Sequence, residues 1–345
     1  MKILFLISSR VHGRGGHFHS LNDISTAIAK HADVEIITIG RANSAILQAN
    51  EHFNRHLLLT GKNFFSFRKN LQLALKEINP DIIHCFDVGS YDIVKLSCVN
   101  FKGRLLLSKC GGANPVSFPM VEHLILFSIE NLNWFKNKGF KNLTHIPNRV
   151  NTPEAFVKPE NYPSKDAAAF TFMRICRIGN TYKNSIIIAI NLIKQLQENY
   201  KVKLIVVGVI ESEEVFNSLQ KLAESLPVEF ITNHEYTLKA SKMLYLADAV
   251  IGTGRSAMEA TSAGIPVLTP VKGKSIPYLI RPENFMNFFE TNFSPRNHSN
   301  ETEENELAAI GNMIKDVEVY NKLKDFSLEV FNKYFSMEEG VNNYM

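Results

Sequence analysis

The chain has 345 residues, a length that predicts about two domains, and its 45% hydrophobic and 21% charged residues are typical of a globular protein. No stretch reaches the roughly 18–20 apolar residues that cross a bilayer. The start at Met1–Ile7 has one basic residue and no cleavage site, which predicts a buried strand rather than a signal peptide. The four cysteines have no CxxC or zinc-ligand spacing, which predicts free thiols in a reducing cytoplasm.

The net charge of +4 is divided unevenly along the chain. Residues 1–150 carry 18 basic against 10 acidic side chains, a net of +8, whereas residues 151–345 carry 20 against 24, a net of −4. A basic first half favours anionic partners such as phosphates, a lipid pyrophosphate or an acidic membrane face, although ordinary solvated charge explains it equally well. We expect no nucleic-acid partner.

Strand and helix signals alternate through the first half, with helical spacing at Leu21–His31 and Glu130–Lys138. This βαβα rhythm predicts a parallel sheet covered by helices on both faces. The predicted strands are Ile3–Ser8, Val34–Ile39, Asp81–Phe86, Leu105–Ser108, Leu124–Ser128 and His145–Pro147.

The pattern breaks at residues 152–168, where three prolines and mixed charge predict a linker. A second βαβα series follows, with a helical tail at Leu307–Tyr334. The sequence therefore predicts an α/β protein with two Rossmann-like, doubly wound domains, at residues 1–151 and 169–320. Ligands in such sheets bind beyond the carboxyl ends of the strands, so we expect the active site in the interdomain cleft.

One segment of the second domain combines a strand, a glycine-containing loop and the start of a helix. Backbone N–H groups at a helix start attract phosphate, and glycines let a ligand approach the backbone. A tight strand–helix turn is the alternative interpretation. The predicted donor-binding residues in this segment are Gly252, Thr253, Gly254, Arg255, Ser256 and Glu259, the last as a partner of ribose hydroxyls.

Two cations, Arg177 and Lys183, follow the first strand of the second domain and lie six residues apart across a loop. Such a pair suits a pyrophosphate, whose charge as a leaving group must be stabilised in the transition state. A solvated loop is the alternative.

In the first domain, the opening loop carries Gly15 and Gly16, whose amides we expect near a sugar or phosphate. His17 and His19 have no neighbouring cysteine or carboxylate to complete a metal site, so no metal is predicted. The GxGxxG pattern is absent, which argues against a nicotinamide cofactor. His84 ends a strand, where a sugar contact and a core histidine are both compatible with the sequence.

A basic and aromatic segment also lies in the first half. It is compatible with an anionic membrane surface, with a buried aromatic face as the alternative. Its members are Arg55, Lys62, Phe64, Phe65, Phe67, Arg68 and Lys69.

Taken in order, these segments resemble the GT4-like family of retaining GT-B glycosyltransferases over nearly the whole chain. The glycine loop is similar to the family's GG loop, residues 127–151 to its "S…IPNGVD" passage, and Phe335–Glu338 to the end of its C-terminal helix. Arg177 and Lys183 fall where the family's donor-phosphate Arg and Lys are expected, and Glu259 matches the second Glu of its E-x7-E motif.

The resemblance implies an enzyme that moves a hexose-type sugar from a UDP- or GDP-sugar to a hydroxyl of a glycan or lipid-linked glycan. It implies retained configuration, no bound metal and a role in cell-surface polysaccharide assembly, in the cytoplasm or at the inner membrane face. The second domain would bind the donor, and a helix at residues 321–345 would cross back to the first, acceptor-binding domain. The catalytic candidates are Arg177, Lys183 and His84.

Two positions depart from the family pattern. The first Glu of the motif falls at Ile251, and Lys109-Cys110 stand where many relatives have a His. A polar contact to the donor sugar is therefore missing or is replaced, with Lys109, Arg255 and His84 as candidates and His17 and Cys110 as further sugar or acceptor contacts. A GT-B sugar-nucleotide epimerase and a non-catalytic donor-binding subunit stay open as alternatives.

Overall fold

The computed structural model describes residues 1–9, 13, 15–98, 101–152 and 162–344. The chain forms two compact units: unit 1 comprises Met1–Val150 with Met337–Met345, and unit 2 comprises Asn151–Ser336. Of the predicted linker at 152–168, residues 153–161 lie outside the described residues.

Unit 1 is built on a parallel sheet of seven strands within the described residues, in the order β3-β2-β1-β4-β5-β6-β7. Strand β1 is buried along nearly its whole length, as expected for a central strand with helices on both faces. The strands are β1 (Lys2–Ser9), β2 (Asp33–Gly40), β3 (Phe53–Leu58), β4 (Ile82–Cys85), β5 (Arg104–Lys109), β6 (His123–Leu126) and β7 (Leu143–His145).

Helices cover both faces of this sheet and bury their apolar sides in two core clusters. One cluster lies under the third, fourth and fifth helices, and the other lies under the first. The helices are α1 (Gly16–Ile28), α2 (Ala45–Gln48), α3 (Phe64–Ile78), α4 (Val88–Ser97) and α5 (Ile129–Asn137).

Unit 2 repeats this plan with six strands among the described residues, in the order β10-β9-β8-β11-β12-β13. The strands pair in parallel except for the last, which runs antiparallel to β12. The strands are β8 (Phe170–Ile175), β9 (Val202–Val207), β10 (Val228–Ile231), β11 (Ala249–Ile251), β12 (Val267–Thr269) and β13 (Tyr278–Leu279).

The helices of unit 2 include a 3₁₀ segment at Ala240–Leu246 and a π-helical turn at Phe331–Phe335. The α-helices are α6 (Lys183–Leu196), α7 (Glu213–Ala223), α8 (His234–Leu238), α9 (Arg255–Ser262), α10 (Phe285–Glu290), α11 (Glu303–Lys315) and α12 (Val317–Val330).

The last helix, α13 (Met337–Tyr344), returns to unit 1 and packs against α1. Met337 and Val341 are buried in the core cluster that α1 also lines. Residues 321–336 belong to unit 2, so the part of the chain that packs on unit 1 is its last turns. In the described part of the chain, no helix has the length and apolarity needed to cross a membrane.

In both sheets, the chain adds its first strands on one side of the starting strand and then crosses to add the later strands on the other side. The reversal lies between β1 and β4 in unit 1 and between β8 and β11 in unit 2. Loops that leave the carboxyl ends of such a strand pair diverge to opposite faces and leave a crevice that ligands occupy.

At this point in unit 1, Asp87 joins the end of β1 to the start of α4. Its carboxylate accepts hydrogen bonds from Ser8 N at 2.6 Å, from Ser8 Oγ at 2.7 Å and from Ser90 N at 2.8 Å. It therefore caps the helix and satisfies strand-end donors at once.

We expect Asp87→Ala to lower the free energy of unfolding by about 1–3 kcal/mol, because partly buried donors lose their acceptor. Urea unfolding monitored by circular dichroism measures this. Asp81→Ala is the matched control, since Asp81 accepts one exposed bond, from Lys2 N at 2.7 Å, at the opposite end of β4. A loss for Asp87→Ala no larger than that of the control would contradict the assignment.

Candidate functional site

The candidate site lies at the strand-order reversal of unit 2, where the loops after β8 and β11 meet. After the end of β8, the chain passes through Arg177 to the start of α6 at Lys183. After the end of β11, it passes through Gly252 to the start of α9 at Arg255. Because β8 and β11 are adjacent and parallel, residues about 75 positions apart in the chain come to one edge of the sheet.

The two predicted phosphate cations frame the loop after β8. The guanidinium of Arg177 pairs with Glu211, with Nη1 2.6 Å from Oε1, and lies 5.4 Å from the ring centroid of Tyr182. Partial burial lowers the pKa of Arg177, but hydrogen bonding to Tyr182 and the charge of Glu211 outweigh it and raise the pKa overall. Lys183 is half-buried at the first position of α6.

The loop after β11 turns tightly into the start of α9, and its backbone lies close to the first helical turn. A Cβ on Gly252 would lie 2.7 Å from Ala257 Cα, and Gly254 has φ +52°, so glycine is required at both positions. Ser256 Oγ accepts from Thr253 N at 3.0 Å and lies 3.1 Å from Thr253 O, which closes the loop on itself. The predicted strand–loop–helix segment is therefore present as a preformed turn.

The side chains of Arg255 and Glu259 contact each other. Arg255 Nε donates to Glu259 Oε1 at 2.7 Å, one turn further along α9. The sequence assigned these residues separately to phosphate and to ribose, and the structure places them as a pair at the helix start.

Arg174, which the sequence analysis did not single out as a site residue, connects the two loops. It is fully buried, and its guanidinium donates to Ile251 O at 2.9 Å, to Ser185 Oγ at 3.1 Å and to Thr253 Oγ1 at 3.2 Å. The available signal was a single charged residue inside the otherwise uncharged strand β8.

Three of the predicted residues of unit 1, Gly15, Gly16 and His17, follow β1 at the other strand-order reversal. Gly15 caps α1 and Gly16 begins it, and a Cβ on Gly16 would meet open space. The His17 ring is half-buried in the first helical turn, 4.5 Å from the Phe18 ring. Arg10, Val11, His12 and Arg14 of the same loop lie outside the described residues.

Lys109 and Cys110 are engaged within unit 1. The Lys109 ammonium donates to Gly111 O at 2.5 Å and to Asn131 Oδ1 at 3.1 Å, which holds the loop after β5. The Cys110 thiol lies 3.6 Å from Phe86 O, and burial raises its pKa. Both side chains have structural partners at the positions where the sequence suggested sugar contacts.

His84 lies buried among the core side chains of unit 1, and its predicted catalytic role stays a prediction. Only 2% of the residue is exposed, its Nε2 lies 2.7 Å from Ser108 Oγ, and its ring packs on Phe5 and Phe86. Burial lowers the pKa of His84 to about 3. A cavity of about 180 Å³ beside the ring is lined mainly by apolar side chains of unit 1, with Tyr344 of α13 on one side.

Across the described ranges, no three His, Cys, Asp or Glu side chains cluster as metal ligands would. The candidate site of unit 2 combines cations, backbone amides and hydroxyls, which are groups that bind anions, with the carboxylates of Glu211 and Glu259, which pair with Arg177 and Arg255.

We expect His84 to make stability fall as pH decreases. Its folded-state pKa is depressed, so the unfolded chain binds one more proton between about pH 6.5 and 3, and stability present above this range is lost within it. The gap in unfolding free energy between wild type and His84→Leu should narrow by about 1.4 kcal/mol per pH unit there. Urea titrations at several pH values test this. His31→Leu, at an exposed position, should leave the slope unchanged, and an equal slope in wild type and His84→Leu would contradict the assignment.

No protein-family model matches the chain, and no curated protein matches it significantly in sequence. Similar solved structures exist. Anabaena Alr3699/HepE in complex with UDP and glucose has a TM-score of 0.70 at 16% identity, covering 100% of this chain and 98% of that one. A Rickettsia africae glycosyltransferase has a TM-score of 0.70 at 15% identity, covering 99% of this chain and 96% of that one.

A Neisseria meningitidis UDP-GlcNAc 2-epimerase bound to UDP-GlcNAc is also similar, with a TM-score of 0.61 at 13% identity, covering 99% of this chain and 98% of that one. At such identities a structural likeness shows the fold alone. The chain has the fold of GT-B glycosyltransferases: two Rossmann-like α/β units, each with a parallel sheet at its core.

Proposed function

We propose that this protein is a glycosyltransferase that uses a nucleoside diphosphate sugar, UDP- or GDP-linked, as its donor. The observation that carries the proposal is that the loop with Arg177 and Lys183 and the loop that leads into α9 leave adjacent parallel strands at one edge of the unit 2 sheet. These groups supply positive charge and oriented N–H donors where a diphosphate leaving group needs them.

The donor diphosphate binds beside the loops after β8 and β11. Gly252 and Gly254 leave room for close approach, and Thr253 and Ser256 hold the loop in shape. In this arrangement Arg177 exchanges its contact with Glu211 for the phosphate, and Lys183 neutralises the charge that develops on the leaving group. In this arrangement the carboxylate of Glu259, which accepts from Arg255 Nε, also accepts from the ribose hydroxyls.

The acceptor is a hydroxyl of a glycan or lipid-linked glycan bound by unit 1, where Gly15, Gly16 and His17 line the start of α1. The reaction retains configuration, uses no metal and serves cell-surface polysaccharide assembly in the cytoplasm. These finer statements rest on the sequence resemblance to GT4-like enzymes, and the similarity to HepE, whose structure holds UDP and glucose, supports the donor class.

Epimerisation of a sugar nucleotide is the second candidate, supported by the likeness to the Neisseria epimerase. Incubating UDP-GlcNAc, UDP-glucose or a GDP-hexose without acceptor separates the two. A transferase leaves the donor sugar configuration unchanged, whereas accumulation of an epimer would replace the proposal.

We expect Lys183→Ala to lower the turnover of the sugar donor about 10²–10³-fold, because one cation facing the leaving group is lost. Its urea midpoint should change little, since the helix start gains nothing from a cation there. Turnover is measured as release of nucleoside diphosphate in the presence of acceptor. Lys194→Ala, in the last turn of the same helix, is the matched control. Near-normal turnover of Lys183→Ala would overturn the donor assignment.

We also propose that unit 1 contacts an anionic membrane through the start of α3. Phe67 is buried, as an aromatic core face predicts, but Phe65 is 85% exposed and Phe64 is exposed beside it. Lys62 and Lys69 flank them at exposed positions. Exposed aromatic rings bordered by cations fit the headgroup region of anionic lipid.

Vesicle co-sedimentation tests this contact. Wild type should bind vesicles of phosphatidylcholine with phosphatidylglycerol more tightly than vesicles of phosphatidylcholine alone, and Lys62→Glu or Lys69→Glu should weaken binding by about 1 kcal/mol or more each. Phe65→Ser should weaken it as well, whereas Leu238→Ser, at an exposed apolar position of unit 2, should not. Equal binding to both vesicle types would reject the contact.

A further inference from the structure

Arg174 is a buried cation whose guanidinium reaches three separate segments. It lies on β8, and its hydrogen bonds end on the last residue of β11, on Ser185 in the first turn of α6 and on Thr253 in the loop before α9. Its Nε is buried and has no hydrogen-bond partner. The residue therefore lies directly beneath the loops that form the candidate site.

The charge of Arg174 has no local counter-charge. Within the described ranges, no carboxylate lies within ion-pair distance of its guanidinium, whereas the guanidinium of Arg281, in the same unit, pairs with the buried Glu306 at 3.2 Å. The thiol of Cys176 is nearby, but burial raises its pKa and keeps it neutral at physiological pH. A buried charge without a partner lowers stability, so an apolar residue would be less costly at this position.

The surrounding backbone adds charge of the same sign. Ser185 belongs to the first turn of α6, and Thr253 precedes α9 by two residues, so the guanidinium lies between two helix N-termini. Each N-terminus carries about half a positive charge. The positive charges of the guanidinium and of the two helix N-termini are balanced only when an anion binds above them.

We propose that Arg174 is a positioning residue for the donor diphosphate. It holds the Thr253 hydroxyl and the first turn of α6 in place, and its charge makes this end of unit 2 select a diphosphate over a monophosphate. Because the side chain is fully buried, it acts through Thr253 and through the field at the loop, and it does not touch the ligand. The proposal rests on the nucleotide-sugar function proposed above.

The readout is the ratio of the dissociation constants of UMP and UDP, with GMP and GDP measured in parallel by calorimetry. In Arg174→Met this ratio should fall roughly tenfold, since a charge-supported set of bonds is lost. Arg174→Lys, which keeps the charge, should restore part of the ratio. Thr253→Val should lower the ratio as well, and the double variant Arg174→Met/Thr253→Val should lose no more than Arg174→Met alone.

Arg281→Met is the matched control, because it removes an arginine whose partner is a buried carboxylate of the same unit. It should lower the urea midpoint and leave the ratio unchanged. A ratio in Arg174→Met equal to that of wild type, or full additivity in the double variant, would overturn the role of Arg174 while leaving the donor assignment intact. Failure of wild type to bind any of the four nucleotides would overturn both. If Arg174→Met does not fold, Thr253→Val and Arg174→Lys carry the same test.

Discussion

The parallel pairing of β8 with β11 is the constraint on which the candidate site depends. It places the ends of two strands side by side although Arg174 and Ile251 are 77 positions apart in the chain, and the bond from the Arg174 guanidinium to Ile251 O fastens them. Helices α6 and α9 then start from the same edge with their amide ends facing one region. Cations and helix ends that lie on separate loops in the sequence thereby come to one edge of the sheet, as our proposal of a single anionic ligand requires.

The same strand order in unit 1 produces a site of different chemistry. There the Asp87 carboxylate accepts hydrogen bonds from the donors at the end of β1. The Lys109 ammonium donates to a carbonyl of the loop after β5. Among the described residues, the two units thus have one topology but different side-chain contacts at the equivalent edge. We propose the donor site on unit 2 because the loops that carry Arg177, Lys183 and the start of α9 leave that edge.

The alternation of short apolar strand signals with helical segments was enough to predict two doubly wound units, because buried parallel strands appear in the sequence as near-continuous apolar runs. Local sequence also marked the glycine loop at 252–256. It could not show that the side chain of His84 is buried, because a strand-end histidine looks alike in the core and in a site, and its exposure is known only in three dimensions. The role of Arg174 could not be predicted, because its hydrogen bonds end on segments distant in the chain. The Arg255–Glu259 contact could not be predicted either, because it depends on side-chain geometry.

The central claim is that a nucleoside diphosphate binds at the edge of the unit 2 sheet. Hydrogen exchange followed by mass spectrometry, with and without UDP or GDP, tests it at the level of peptides. We expect slower exchange in peptides covering residues 174–185 and 252–259, where the amides at the starts of α6 and α9 lie. Protection confined to peptides of unit 1, with these two segments unchanged, would contradict it.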